Sequence, residues 1–95
     1  MEISFKDKVA LVTGAAGGIG LMAARMFAES GASVALADID GKVMERAEEL
    51  VAEGYNAIGI QCDVSDETQV KATVEKTVAA FGQLDAAYNN VGIHA

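Results

Sequence analysis

Ninety-five residues, 52% hydrophobic and 22% charged, describe a globular chain the size of one small domain or of part of a larger one. A net charge of −7 argues against a surface for nucleic acid or anionic membrane, and no apolar run approaches the ~20 residues that cross a bilayer. Cys62 is the only cysteine, which excludes an intrachain disulfide and suits a reducing, cytoplasmic setting.

No basic, apolar segment precedes Lys6-Asp7-Lys8, so no secretory leader is expected. The first strand is expected over residues 8–13, a nearly continuous apolar run. A glycine-rich turn follows, then a helix in which Ile19, Met22, Ala23, Met26 and Phe27 share a face and Gly31 marks the stop. Residues 33–37 read as a second strand. The second helix carries Val43, Met44, Ala47, Leu50 and Val51 as its stripe and ends at Gly54. A third strand over 57–62 leads to a third helix with Val70, Val74, Val78 and Phe81 aligned, Ser65 or Asp66 as cap and Gly82 as stop. Residues 84–89 form the fourth strand. The Met and Phe residues of these stripes are assigned to the core, as is Cys62.

Strands and helices thus alternate, which predicts an α/β fold with a parallel sheet. Right-handed crossovers give the strand order 3-2-1-4, a doubly wound Rossmann-type sheet with helices on both faces. All carboxyl ends then lie on one edge, and ligands bind where the strand order reverses, between the first and fourth strands.

The turn Thr13-Gly14-Ala15-Ala16-Gly17-Gly18-Ile19-Gly20 lies on that edge. Free amides at a helix start, with the positive end of its dipole, attract phosphate, and glycine permits close backbone approach. The turn therefore predicts a nucleotide carrying a pyrophosphate. Asp38 ends the second strand, where a carboxylate can accept hydrogen bonds from the adenosine ribose hydroxyls and repel a 2′-phosphate, favouring NAD over NADP. No Arg or Lys replaces Gly17 or follows Asp38 directly; the nearest in sequence is Lys42. Asp63 ends the third strand and can meet an adenine amino group, with Val64 against the ring; it can equally cap the next helix. Asn89-Asn90-Val91-Gly92 ends the fourth strand, where two amides can tie neighbouring strands together.

Together these residues resemble the short-chain dehydrogenase/reductase family, over residues 8–92. The carrying motifs are Thr13-Gly14-x-x-x-Gly18-Ile19-Gly20, Asp38, Asp63-Val64 and Asn89-Asn90-Val91-Gly92, with Val91 in place of the family's usual alanine. The resemblance implies that Gly14, Gly18, Ile19 and Gly20 hold the pyrophosphate, Asp38 the ribose, Asp63 and Val64 the adenine, and that Asn90 and Gly92 approach the ribose and nicotinamide side. The turn satisfies both Gly-x-x-x-Gly-x-Gly and Gly-x-x-Gly-x-x-Gly, the latter marking the extended branch with its epimerases. The Asn pair favours the single-domain dehydrogenases.

The family's catalytic Ser and Tyr-x-x-x-Lys do not occur: the tyrosines read Tyr55-x-x-x-Gly59 and Tyr88-x-x-x-Gly92. No catalytic residue is assigned, and lone His94 is given neither a metal nor a catalytic role. Residues 1–95 are accordingly expected to be the cofactor-binding part of a single NAD(P)-binding Rossmann domain, the catalytic remainder lying elsewhere. The implied parent is an NAD-dependent oxidoreductase moving hydride between nicotinamide and a secondary alcohol or ketone, commonly a tetramer or dimer in this family. The alternatives are a noncatalytic nucleotide-binding module and an extended-branch epimerase or dehydratase. A methyltransferase also places an acid after its second strand, but the Thr-Gly turn and Asn pair disfavour it.

Overall fold

The computed structural model describes residues 4–90. The elements run β1 (Val9–Thr13), α1 (Gly18–Glu29), β2 (Ser33–Asp38), α2 (Val43–Ala52), β3 (Ala57–Gln61), α3 (Glu67–Phe81) and β4 (Ala86–Asn89). The strands form one parallel sheet in the order β3-β2-β1-β4, as the crossover rule requires. Register pairs Thr13 with Ala37 and with Asn89, and Asp38 with Gln61. The ends of all four strands therefore converge on one edge.

Side-chain alternation splits the core in two. Val12, Val34 and Leu36 face α1 and α2, packing with Ala24, Ala28, Val43, Ala47 and Leu50. Leu11, Ala35, Ala37, Ile60 and Cys62 face the other way, with Val74 and Phe81 of α3 against them. Both sheet faces thus carry helices, and Cys62 is buried as expected.

Two helix ends follow their sequence signals. Asp66 caps α3, its carboxylate accepting the Thr68 and Gln69 amides, and Gly82 closes it in the left-handed region at φ 83°. The turn after Gly82 delays β4 to Ala86, later than the 84–89 expectation.

The stripe assigned to α1 needs correction. Ile19, Met22 and Met26 are 66%, 63% and 61% exposed, and the buried residues are Gly20, Ala24 and Ala28. The spacing i, i+4, i+8 of small residues lets α1 lie close on the sheet, so the larger apolar side chains are rotated outward. There they line an apolar groove of about 410 Å³ with Phe5, Phe27 and Tyr88. Met44, Val51, Val70 and Val78 are likewise exposed, whereas Val43, Ala47 and Leu50 hold the core side of α2. Every residue of β4 is exposed.

Candidate functional site at the carboxyl edge of the sheet

The chain leaves β1 at Thr13 and turns into α1 over Gly14–Gly17. Gly14 takes φ +65°, and a Cβ there would overlap the Asn90 carbonyl oxygen. A Cβ on Gly20 would overlap the Gly14 carbonyl oxygen, so the first turn of α1 presses directly on the end of β1. Gly17 is the N-cap residue and supplies no capping side chain. Among the described residues, the amides of Gly17, Gly18, Ile19 and Gly20 have no acceptor; the first intrahelical bond is Leu21 to Gly17 at 3.3 Å. Added side chains at Gly17 and Gly18 would meet open space. These are donors at the positive end of a helix dipole, exposed at Gly17, Gly18 and Ile19, and no side-chain anion among the described residues accepts from them.

Asp38 faces this turn from the end of β2. Its Oδ2 accepts the Ala16 amide at 2.9 Å and its Oδ1 accepts the Asp40 amide at 2.9 Å. A carboxylate oxygen has two acceptor sites, so each keeps one for a further donor. Asp38 is half-buried, held on one side and open on the other. The Ala15 amide adds a bond to the Ala37 carbonyl at 3.1 Å, tying the turn to β2 by backbone as well.

On the other flank, Thr13 knits the turn to β4. Its hydroxyl donates to Asn89 Oδ1 at 3.4 Å and accepts the Asn90 amide at 3.2 Å. Asn90 Nδ2 donates to the Gly14 carbonyl at 3.4 Å. The two amides do tie neighbouring strands, as their position suggests. Side chains thus continue the β1–β4 pairing past its last register pair, Thr13 with Asn89.

Asp63 stands just beyond β3 and Cys62. Its Oδ1 accepts both the Ser65 amide, at 2.9 Å, and the Ser65 hydroxyl, at 2.6 Å. These bonds, the hydroxyl's first, hold its carboxyl below the usual carboxylate range, against a smaller opposing effect of burial. Asp63 therefore shapes the turn before α3, while Asp66 is the cap itself. Val64 is exposed beside it. Gly92, Val91 and His94 lie outside the described residues.

The anion-facing turn, the half-open Asp38 carboxylate and the Asn pair share the one edge where strand order reverses. A family model described as "short chain dehydrogenase" matches residues 8–95. The chain belongs to the short-chain dehydrogenase family.

Relatives and solved structures match nearly the whole chain. The chain is 45% identical over 94 residues to (+)-cis,trans-nepetalactol synthase of Nepeta racemosa, covering 98% of this chain and 34% of that protein. It is 41% identical over 93 residues to cis-4-hydroxycyclohexanecarboxylate dehydrogenase of Sinomonas cyclohexanicum, covering 98% of this chain and 37% of that one. A crystal structure of a short-chain dehydrogenase/reductase from Burkholderia phymatum in complex with NAD superposes with a TM-score of 0.90 at 37% identity, over 96% of this chain and 33% of that chain. This short-chain dehydrogenase chain thus spans about a third of the length of the curated relatives it matches.

The residues present fit a dinucleotide. Four amides with no acceptor among the described residues suit a pyrophosphate, and the remaining acceptor sites of Asp38 suit vicinal hydroxyls. Among the described residues no cluster of three or more His, Cys, Asp or Glu side chains is arranged to hold a metal, and no helix is long and apolar enough to cross a membrane. One residue at this edge escaped the sequence reading. Arg46, on α2, donates from Nε to the Ala16 carbonyl at 3.1 Å, so a cation further along the sequence than Lys42 reaches the turn. A signal for it exists: Arg46 falls beside Val43, Ala47 and Leu50 on the side of α2 that faces the sheet, where a charged side chain needs polar partners.

Proposed function

We propose that this chain is the cofactor-holding part of a single Rossmann domain in an NAD-dependent oxidoreductase that acts on a secondary alcohol or ketone. The observation that carries the reading is the uncapped start of α1 beside the Asp38 carboxylate on one sheet edge. NAD, when bound, supplies the nicotinamide carbon that takes up or returns a hydride. The chain's own residues bind and orient. Gly14 and Gly20 keep the turn tight, and the Gly18, Ile19 and Gly20 amides donate to the pyrophosphate. Asp38 accepts the ribose hydroxyls and repels a 2′-phosphate, which selects NAD over NADP. Asp63 and Val64 border the adenine, and Asn90 and Gly92 the ribose and nicotinamide side.

The proton-transfer groups belong to polypeptide outside residues 1–95. Relatives about three times as long support this division, and a relative named as the dehydrogenase of a hydroxycyclohexane carboxylate supports the alcohol class. Titration of the full polypeptide with NADH and NADPH tests the reading. Saturable binding with a preference for NADH, narrowed by Asp38→Ala, is the expected result. Absence of saturable binding, or an NADPH preference that Asp38→Ala leaves unchanged, overturns it.

A further inference from the structure

Ala16 is gripped from two sides. Its amide donates to Asp38 Oδ2 at 2.9 Å, and its carbonyl accepts Arg46 Nε at 3.1 Å. The Arg46 guanidinium is itself held, its Nη1 donating to Glu49 Oε1 at 2.6 Å. A carboxylate and a guanidinium from different elements thus fix one residue in the middle of the glycine turn. The Arg46 side chain is 30% exposed and lies outside the buried core.

The consequence falls on the next residue. A trans peptide points its N–H opposite to its carbonyl, and the peptide bonds here include no cis form among the described residues. With the Ala16 carbonyl turned toward Arg46 on α2, the Gly17 amide must turn away from α2. Among the described residues that amide has no acceptor, and a Cβ on Gly17 would meet nothing within 4 Å. A charged donor on the carbonyl also polarises the peptide and strengthens its N–H as a donor.

We propose that Arg46 is a positioning residue for the phosphate-facing turn: through the Ala16 carbonyl it aims and polarises the Gly17 amide toward the pyrophosphate. This rests on the nucleotide-binding reading above. Arg46 touches no ligand in this scheme, and Lys42 plays no part.

The test uses the full polypeptide and two probes, ADP-ribose and adenosine, titrated by calorimetry. ADP-ribose carries the pyrophosphate; adenosine offers only the ribose and base. Arg46→Met keeps the stem and the helix propensity but has no donor. Its affinity for ADP-ribose is expected to fall about tenfold, the value of one charge-assisted hydrogen bond, with adenosine affinity and Tm unchanged. Arg46→Lys keeps the charge without a donor at the Nε position and is expected to show the same selective loss. Unchanged ADP-ribose affinity in Arg46→Met, equal losses for both probes, or full recovery in Arg46→Lys would each overturn the proposal. Failure of the unsubstituted protein to bind ADP-ribose at all would instead overturn the nucleotide reading beneath it.

Discussion

The Ala16 amide lies 2.9 Å from Asp38 Oδ2, so the carboxylate proposed to discriminate between nucleotides is also a strut of the glycine turn. The two roles separate by substitution. Asp38→Asn retains an acceptor oxygen for one backbone amide and removes the negative charge. A unit charge about 4 Å from a phosphate is worth about 1 kcal/mol at the dielectric of water and about 4 at an effective value of 20. The NADPH-to-NADH affinity ratio of Asp38→Asn should therefore rise at least about fivefold while folding is largely kept. Paired titrations of variant and parent check it, and an unmoved ratio would place the 2′-hydroxyl away from Asp38.

The glycines of the turn should behave differently from one another. Gly20→Ala sets a methyl group against the Gly14 carbonyl oxygen, which is backbone and cannot rotate aside. Gly18→Ala meets open space but must hold φ +59°. Overpacking costs about 1–3 kcal/mol or more, and a left-handed residue about 1–2 kcal/mol. Urea unfolding should show Gly20→Ala as the more destabilised, by about 3 kcal/mol against about 1 for Gly18→Ala. Equal losses would mean that α1 can lift from β1 without cost.

Much of this architecture was legible in the residues. The near-continuous apolar run Val9–Val12, stopped by the glycine turn, reads as a strand covered on both faces, and the crossover rule then gives the strand order. Asp38 and Asn90 were legible because their positions follow from strand ends. The orientation of α1 was not. Helical spacing places Met22 and Met26 on one side, but it cannot say that Gly20, Ala24 and Ala28 form a better surface against a sheet than the larger side chains. Close approach is a tertiary property, decided by the contact of Gly20 with Gly14. Arg46 was missed for a similar reason: its place beside Val43 and Leu50 marks it as sheet-facing, but that pattern does not name its partner, a backbone carbonyl thirty residues away.

Thr13 makes a separate prediction. Its hydroxyl is buried and serves Asn89 and the Asn90 amide together. Thr13→Val keeps the shape and β-branching but leaves that amide without a partner, at about 1–3 kcal/mol. Thr13→Ser keeps the hydroxyl and should lose clearly less. Thermal unfolding of both variants decides it, and equal Tm values for Val and Ser would show that the hydroxyl is dispensable.

Acid sensitivity follows from a second strut, at the opposite edge of the sheet. Asp85 Oδ2 accepts the Val9 amide at 2.8 Å and the Gln83 side-chain amide at 2.6 Å. The Val9 bond first, then Gln83, with Lys8 nearby, hold the Asp85 carboxyl below its ordinary range, against a lesser effect of burial. Ser65 does the same for Asp63, and Arg25 for Glu53. In each case the folded value lies below the unfolded one, about 4 for these groups. Their stabilisation is therefore complete above the unfolded value and is lost as pH falls through the native one. Tm should be insensitive to these groups near neutrality and should drop once pH passes below about 4. Asp85→Asn keeps an oxygen for the Val9 amide but removes the titration, so its Tm should fall less steeply with acid than the parent's. A parallel acid profile in parent and variant would mean that the β1–β4 clamp does not depend on the Asp85 charge.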